Sequence, residues 1–178
     1  MILDAFLQFD NVVSLAIPAG TQASTNVIDF GIASGIPSSA NGGGARDMGI
    51  GDDPSLKMVV QVGTAFTSGG AGTLAVALQG ASDNGSGAPG SYSTWWTSPT
   101  YALATLNAGS QLMNIDFPRP PDGIAVPRFV RLLYTVATAT MTAGTVSSYI
   151  VLDRMDQMYQ GTDNSILGGY QAGINVAN

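Results

Sequence analysis

Leu56-Lys57-Met58-Val59-Val60-Gln61-Val62-Gly63-Thr64-Ala65-Phe66 decides the fold class. Leu56, Met58, Val60, Val62, Thr64 and Phe66 fall on one side of an extended chain, while Lys57, Gln61 and Gly63 fall on the other, the period of a strand laid on a core. Further on, Leu74, Val76 and Leu78 alternate with Ala75, Ala77 and Gln79, so one face fills a core and the other suits something flat. Val130, Leu132, Tyr134 and Val136 alternate with Arg131, Leu133 and Thr135. After a turn at Thr142-Ala143-Gly144 come Val146, Ser148, Ile150 and Leu152, and these last two runs predict an antiparallel hairpin.

Weaker strands surround these. Leu3, Ala5, Leu7 and Phe9 share a face in a strand or extended arm; Val12–Ile17 and Thr25–Phe30 are short strands stopped by Pro18-Ala19-Gly20 and Gly31. Trp95-Trp96 opens a short aromatic segment closed by Pro99, and Leu112–Phe117 runs to the Pro118-Arg119-Pro120-Pro121 turn. Ser34–Pro54, with Asn41-Gly42-Gly43-Gly44 and Asp52-Asp53-Pro54, is a long surface loop, and Asp83–Gly90 a shorter one. Eight or nine short strands, and no helix beyond a turn or two, predict an all-β jelly-roll β-sandwich of about eight antiparallel strands. The chain of 178 residues suits one domain, residues 1–178, with its core over about 12–156 and a Gly/Asn-rich C-terminal arm over about 157–178.

Composition restricts the chemistry. Charged residues make up only 10% of the chain, against about 25% in typical domains. All twelve acids are Asp, and Lys57 is the one lysine. Glu and Lys are what clothe solvated helices, and interspersed charge keeps soluble surfaces apart; their scarcity predicts extensive cover by partners. A net charge of −6, with five scattered arginines, argues against direct nucleic-acid binding, which needs cations on the phosphates. No apolar run approaches the length of a membrane span, and the start lacks a basic signal-peptide region, so synthesis in a host cytoplasm is expected.

His, Cys and Glu are all missing. That removes Ser-His-Asp and Cys-His nucleophiles, His-containing zinc sites and glutamate-based glycosidase pairs, leaving an enzyme as the weakest reading. Asp52-Asp53 is the one adjacent acid pair, and its place before Pro54 suits a turn. Asp83-Asn84-Gly85-Ser86-Gly87 resembles a calcium loop but lacks the closing bidentate Glu. Gly42-Gly43-Gly44 and Gly69-Gly70 lack the Lys-Ser/Thr ending of a phosphate loop. Trp95 and Trp96 could stack on sugars, or one could be core and the other pack at an edge; the second reading is preferred because Trp is generally buried. No metal or cofactor is expected.

Three segments carry a resemblance: Met1-Ile2-Leu3-Asp4-Ala5; Ser24-Thr25-Asn26-Val27-Ile28-Asp29-Phe30-Gly31; and Arg128-Phe129-Val130-Arg131-Leu132-Leu133-Tyr134-Thr135-Val136, followed by Gly144 and the strand ending Leu152-Asp153. In these the chain resembles the small cement, or capsid-decoration, proteins of tailed double-stranded DNA bacteriophages, mainly the short-tailed ones. The resemblance implies a jelly roll, a homodimer, attachment to the major capsid protein on the capsid exterior, and no cofactor. It also makes the terminal arms the expected contact elements, with Leu3, Phe6, Phe9, Tyr170 and Ile174 as partner contacts. The rival readings are another virion jelly roll (a head-fibre, tail or minor coat component) and a carbohydrate-binding module built on the two tryptophans.

Overall fold

A computed structural model of the chain describes residues 7–31, 56–118 and 127–152. The strands in chain order are β1 (Gln8–Ser14), β2 (Gly20–Ala23), β3 (Ile28–Asp29), β4 (Leu56–Val62), β5 (Thr67–Ser68), β6 (Thr73–Ala81), β7 (Ser93–Thr97), β8 (Tyr101–Ala102), β9 (Gln111–Asp116), β10 (Phe129–Ala137), β11 (Met141–Ala143) and β12 (Thr145–Leu152). Among the described residues the helical content is one 3₁₀ turn, Leu103–Thr105, and an incomplete turn at Leu7. No helix there is long and apolar enough to cross a membrane.

Two sheets face one another. The first has the order β1-β12-β4-β9. In the second, β2 and β3 lie along one side of β10, which pairs β6 on its other side, and β7 and β8 follow beyond β6. All these pairings are antiparallel. Taking β2–β3 and β7–β8 as two interrupted strands leaves eight, ordered 1-8-3-6 in one sheet and 2-7-4-5 in the other. That is the double Greek key of a jelly roll. The short β5–β11 ribbon stands beside it.

The alternation in the sequence is realised residue by residue. Met58, Val60, Leu74, Val76, Leu78, Val130, Leu132, Tyr134 and Val146 are all fully buried between the sheets. At about 25 cal/mol per Å² of apolar surface, each such side chain contributes roughly 1.5–3 kcal/mol. Phe66 closes the core from beyond β4, and above it Gly144 has φ +136. A Cβ built on Gly144 would lie 2.3 Å from the Phe66 ring. Gly80 is equally confined, with the Trp95 ring 2.3 Å from where its Cβ would stand.

The structure corrects three expectations. The Val130–Val136 and Val146–Leu152 runs do not form a hairpin: β10 belongs to the second sheet, between β2 and β6, and β12 to the first, between β1 and β4. Their buried faces meet across the core, which period-2 alternation cannot distinguish from sharing a sheet. The two upstream strands, Leu3–Phe9 and Val12–Ile17, are replaced in the described residues by the single β1, Gln8–Ser14, which carries two register shifts. Val12 absorbs the irregularity at φ +55, a conformation costly for a β-branched residue. The third, Thr25–Phe30, shrinks to Ile28–Asp29, because Thr25 and Asn26 instead bond back to β1 through Asp10, Phe9 and Gln8.

Candidate interaction surfaces

Four of the five expected contact residues, Leu3, Phe6, Tyr170 and Ile174, lie outside the described residues, as does Asp52-Asp53. The fifth, Phe9, is 0% exposed and sits in the core cluster. The register shift between Gln8 and Asp10 turns both Phe9 and its neighbour Asp10 inward.

Asp10 is the feature the sequence reading missed. Its Oδ1 accepts the Thr25 N–H at 2.7 Å. Its Oδ2 accepts Tyr134 Oη–H at 2.6 Å and Ser148 Oγ–H at 3.1 Å, and those two hydroxyls are themselves 2.8 Å apart. Asp10 and Ser148 stand on the first sheet and Tyr134 on the second, so the cluster ties the sheets through the middle of the sandwich. Burial first, then the Asp10 charge, pushes the Tyr134 hydroxyl well above its usual 10, which keeps it protonated and donating. The cluster is sealed from solvent and is structural.

Between β6 and β7 the chain makes a tight, exposed loop. Asp83 Oδ1 accepts the N–H of Gly85 at 2.7 Å and of Gly87 at 2.9 Å, while Asn84 Oδ1 accepts the Ser86 N–H at 2.9 Å. Gly85 and Gly87 supply the positive φ that these Asx turns need. The Asp83 carboxylate is thus committed to its own loop, and its Oδ2 to Arg128. Among the described residues no three potential ligands converge as a metal site would require.

Arg128 fastens that loop to the sheet. Its Nε and Nη2 bond both oxygens of Asp29 at 2.8 and 2.9 Å, its Nη1 bonds Asp83, and its guanidinium lies 4.8 Å from the Phe129 ring centre. Burial alone would raise Asp29, but the Arg128 hydrogen bonds, the Gly31 N–H and the Arg128 charge outweigh it and hold the carboxyl below its usual 3.8. Asp83 is held below 3.8 by the Gly87 and Gly85 N–H groups first and by Arg128 second. Both groups therefore titrate lower when folded than when unfolded. Their stabilisation is complete above the unfolded value and disappears as pH falls through the folded one. We expect melting temperature to fall more steeply from about pH 5 to about pH 2.5 in the wild type than in Arg128→Gln. Parallel slopes in a thermal-denaturation series would contradict this coupling.

Trp95 and Trp96 do not form an open platform. Both rings are half-buried and pack against the core, Trp95 over Gly80 at the bulge where Leu78 pairs Trp96 and Gln79 pairs Thr94. A shallow depression lined by Gln61, Val62, Gly63, Gly109 and Ser147 holds no titratable side chain. No described cavity offers an arrangement of acid, base and nucleophile.

What remains is surface. On the outer side of the second sheet, cross-strand neighbours form three rows: Thr21-Thr135-Ala75, Ala23-Leu133-Ala77-Thr97 and Arg131-Gln79-Thr94. Arg131 is the one charged residue in those rows, and it is held down, with its guanidinium 3.7 Å from the Tyr92 ring centre and its Nε bonded to Gln79 at 2.9 Å. The result is a nearly neutral face on which small side chains predominate. Charge depletion of this kind marks the cores of protein interfaces.

Compared with known proteins, the chain matches the profile of the Bbp16 family over residues 14–150, about three quarters of its length. No curated protein matches it.

Proposed function

The chain belongs to the phage-associated Bbp16 family, and from that premise we propose that it is a structural virion protein that binds the outside of an assembled phage capsid and stabilises it by bridging major capsid protein subunits. The observation that carries this reading is the coincidence of the family match with the jelly roll itself, residues 14–150 running from the end of β1 through most of β12. The absence of His, Cys and Glu from the sequence supports a role that needs no catalytic group.

The mechanism is linkage. A protein that binds the assembled shell but not its separated subunits stabilises the shell in proportion to occupancy. A homodimer would present two equivalent patches, so that release of one leaves the other holding, at an effective concentration set by the dimer's own geometry. We assign the outer face of the second sheet to the capsid, because its small, nearly uncharged rows suit close approach to a broad protein surface.

The test mixes purified protein with undecorated capsids and measures co-sedimentation and shell melting. We expect saturable binding and a raised shell melting temperature; absence of both would sink the proposal. Ala75→Arg places a charge in the Thr21-Thr135-Ala75 row without touching the core, so its own stability should stay within about 0.5 kcal/mol of wild type. Shell binding by Ala75→Arg should be lost. Retained binding would remove this face from the capsid contact while leaving the decoration role standing.

A further inference from the structure

Lys57, Arg128 and Arg131 are the cations among the described residues, and the first two are spent inside the protomer. Lys57 pairs with Asp116, and Arg128 with Asp29 and Asp83. Arg131 pairs with no carboxylate among the described residues. It stands on β10 between Val130 and Leu132, both 0% exposed in the core, and so projects from the outer side of the second sheet.

Unpaired as it is, this side chain is held in place. Gln79 lies opposite Arg131 on β6, and Thr94 opposite Gln79 on β7. Gln79 Nε2 donates to Thr94 Oγ1 at 3.2 Å, which turns the amide oxygen toward Arg131, whose Nε–H it accepts at 2.9 Å. The Tyr92 ring supports the guanidinium at 3.7 Å from its centre. Burial pushes the Tyr92 hydroxyl above its usual 10, so the ring is a neutral π surface and supplies no counter-charge. Gln79, Thr94 and Tyr92 therefore immobilise a cation that they leave uncompensated.

A guanidinium carries donors on all its nitrogens. Gln79 engages Nε–H and with it the side-on edge, while the N–H groups of Nη1 and Nη2 have no partner among the described residues. That leaves the end-on edge, one N–H from each Nη in parallel, which matches the paired oxygens of a carboxylate. Rotamer entropy that an arginine ordinarily loses on binding is already lost here. Arg and Tyr are also, with Trp, the residue types in which interface energy concentrates.

We infer that Arg131 anchors the outer face of the second sheet to its partner by binding, end-on, the carboxylate of an Asp or Glu of the shell protein. This rests on the decoration reading above and adds the chemistry of the partner: an acidic side chain set in an otherwise nearly neutral contact. The small Thr and Ala side chains around Arg131 let the partner approach closely and exclude water, where a charge-assisted bidentate pair is strongest. A phosphate fits less well, because a chain of net charge −6 repels a polyanion around its one available cation among the described residues.

The test titrates undecorated capsids with the full-length chain and its variants, reading co-sedimentation at low and high salt. Arg131→Gln should weaken shell binding about thirtyfold or more and flatten its salt dependence, with the free protein melting close to wild type. Arg131→Lys keeps the charge without the fork and should recover only part of that loss. The amine it introduces also identifies the partner. On shells saturated with this variant, a water-soluble carbodiimide should join that amine to an Asp or Glu of the shell protein, located by peptide mass mapping. Should Arg131→Gln melt early, the coupling product alone decides. A product that leaves this position unlinked, or links it to a second copy of the chain, overturns the inference. If wild type binds and Ala75→Arg does not, while Arg131→Gln binds like wild type, the decoration role and its face stand and the carboxylate contact falls. Shells that fail to bind the wild type overturn both.

Discussion

Asp10→Ala should be among the most destabilising single substitutions in this chain, costing about 3–5 kcal/mol in chemical denaturation. The carboxylate is 0% exposed and satisfies three donors at once, the Thr25 N–H, Tyr134 Oη–H and Ser148 Oγ–H. Removing it strands those donors in the core, where each unsatisfied group costs about 1–3 kcal/mol and part of the loss is recovered by relaxation. Tyr134→Phe is the graded control. It deletes one donor, leaves Asp10 still bonded to Thr25 and Ser148, and should cost about 1–3 kcal/mol. Equal losses for the two variants, or an Asp10→Ala protein as stable as wild type, would show that the cluster does not hold the sheets together.

Gly144→Val should be comparably severe, at about 2–5 kcal/mol, by a different route. Backbone at φ +136 is open to glycine but strained for a β-branched residue, which accounts for roughly 1–3 kcal/mol. A side chain there also meets Phe66, whose ring atoms stand 2.3–2.6 Å from the Cβ position, and overpacking of this kind costs about 1–3 kcal/mol more. The two contributions separate in a double-mutant cycle. Phe66→Ala opens a cavity and is destabilising alone, but combined with Gly144→Ala it should cost less than the sum, because the clash is gone and only the backbone strain persists. Strict additivity would mean that the ring already moves freely out of the way.

These two sites lie at opposite extremes of legibility. Gly144 was visible in the sequence as the turn before the final strand, although its contact with Phe66 was not. Asp10 was hidden: it stood among the polar members of an alternating run, and only the bulge between Gln8 and Asp10 turns it toward the core. The same bulge explains why Phe9, expected at a partner interface, is buried. Pattern reading assumes an unbroken pleat, and one inserted residue reverses every assignment beyond it. The Arg128–Asp29–Asp83 cluster was equally hidden, since its members come from three strands or loops far apart in the chain and none belongs to a recognisable motif.

The all-β class, the places of the long strands β4, β6, β9, β10 and β12 and the small residues on the outer side of β6 followed from the sequence by itself. Side-chain alternation is a local property, and the extended backbone enforces it wherever one face is dry. Which sheet each strand joins was decided only in three dimensions. β10 and β12 carry the same inward pattern, and nothing local distinguishes strands that are neighbours in one sheet from strands that face each other across the core. Long-range hydrogen bonding settles it: β10 is claimed on both edges by β2 and β6, and β12 by β1 and β4. The predicted hairpin had no free edge left on which to form.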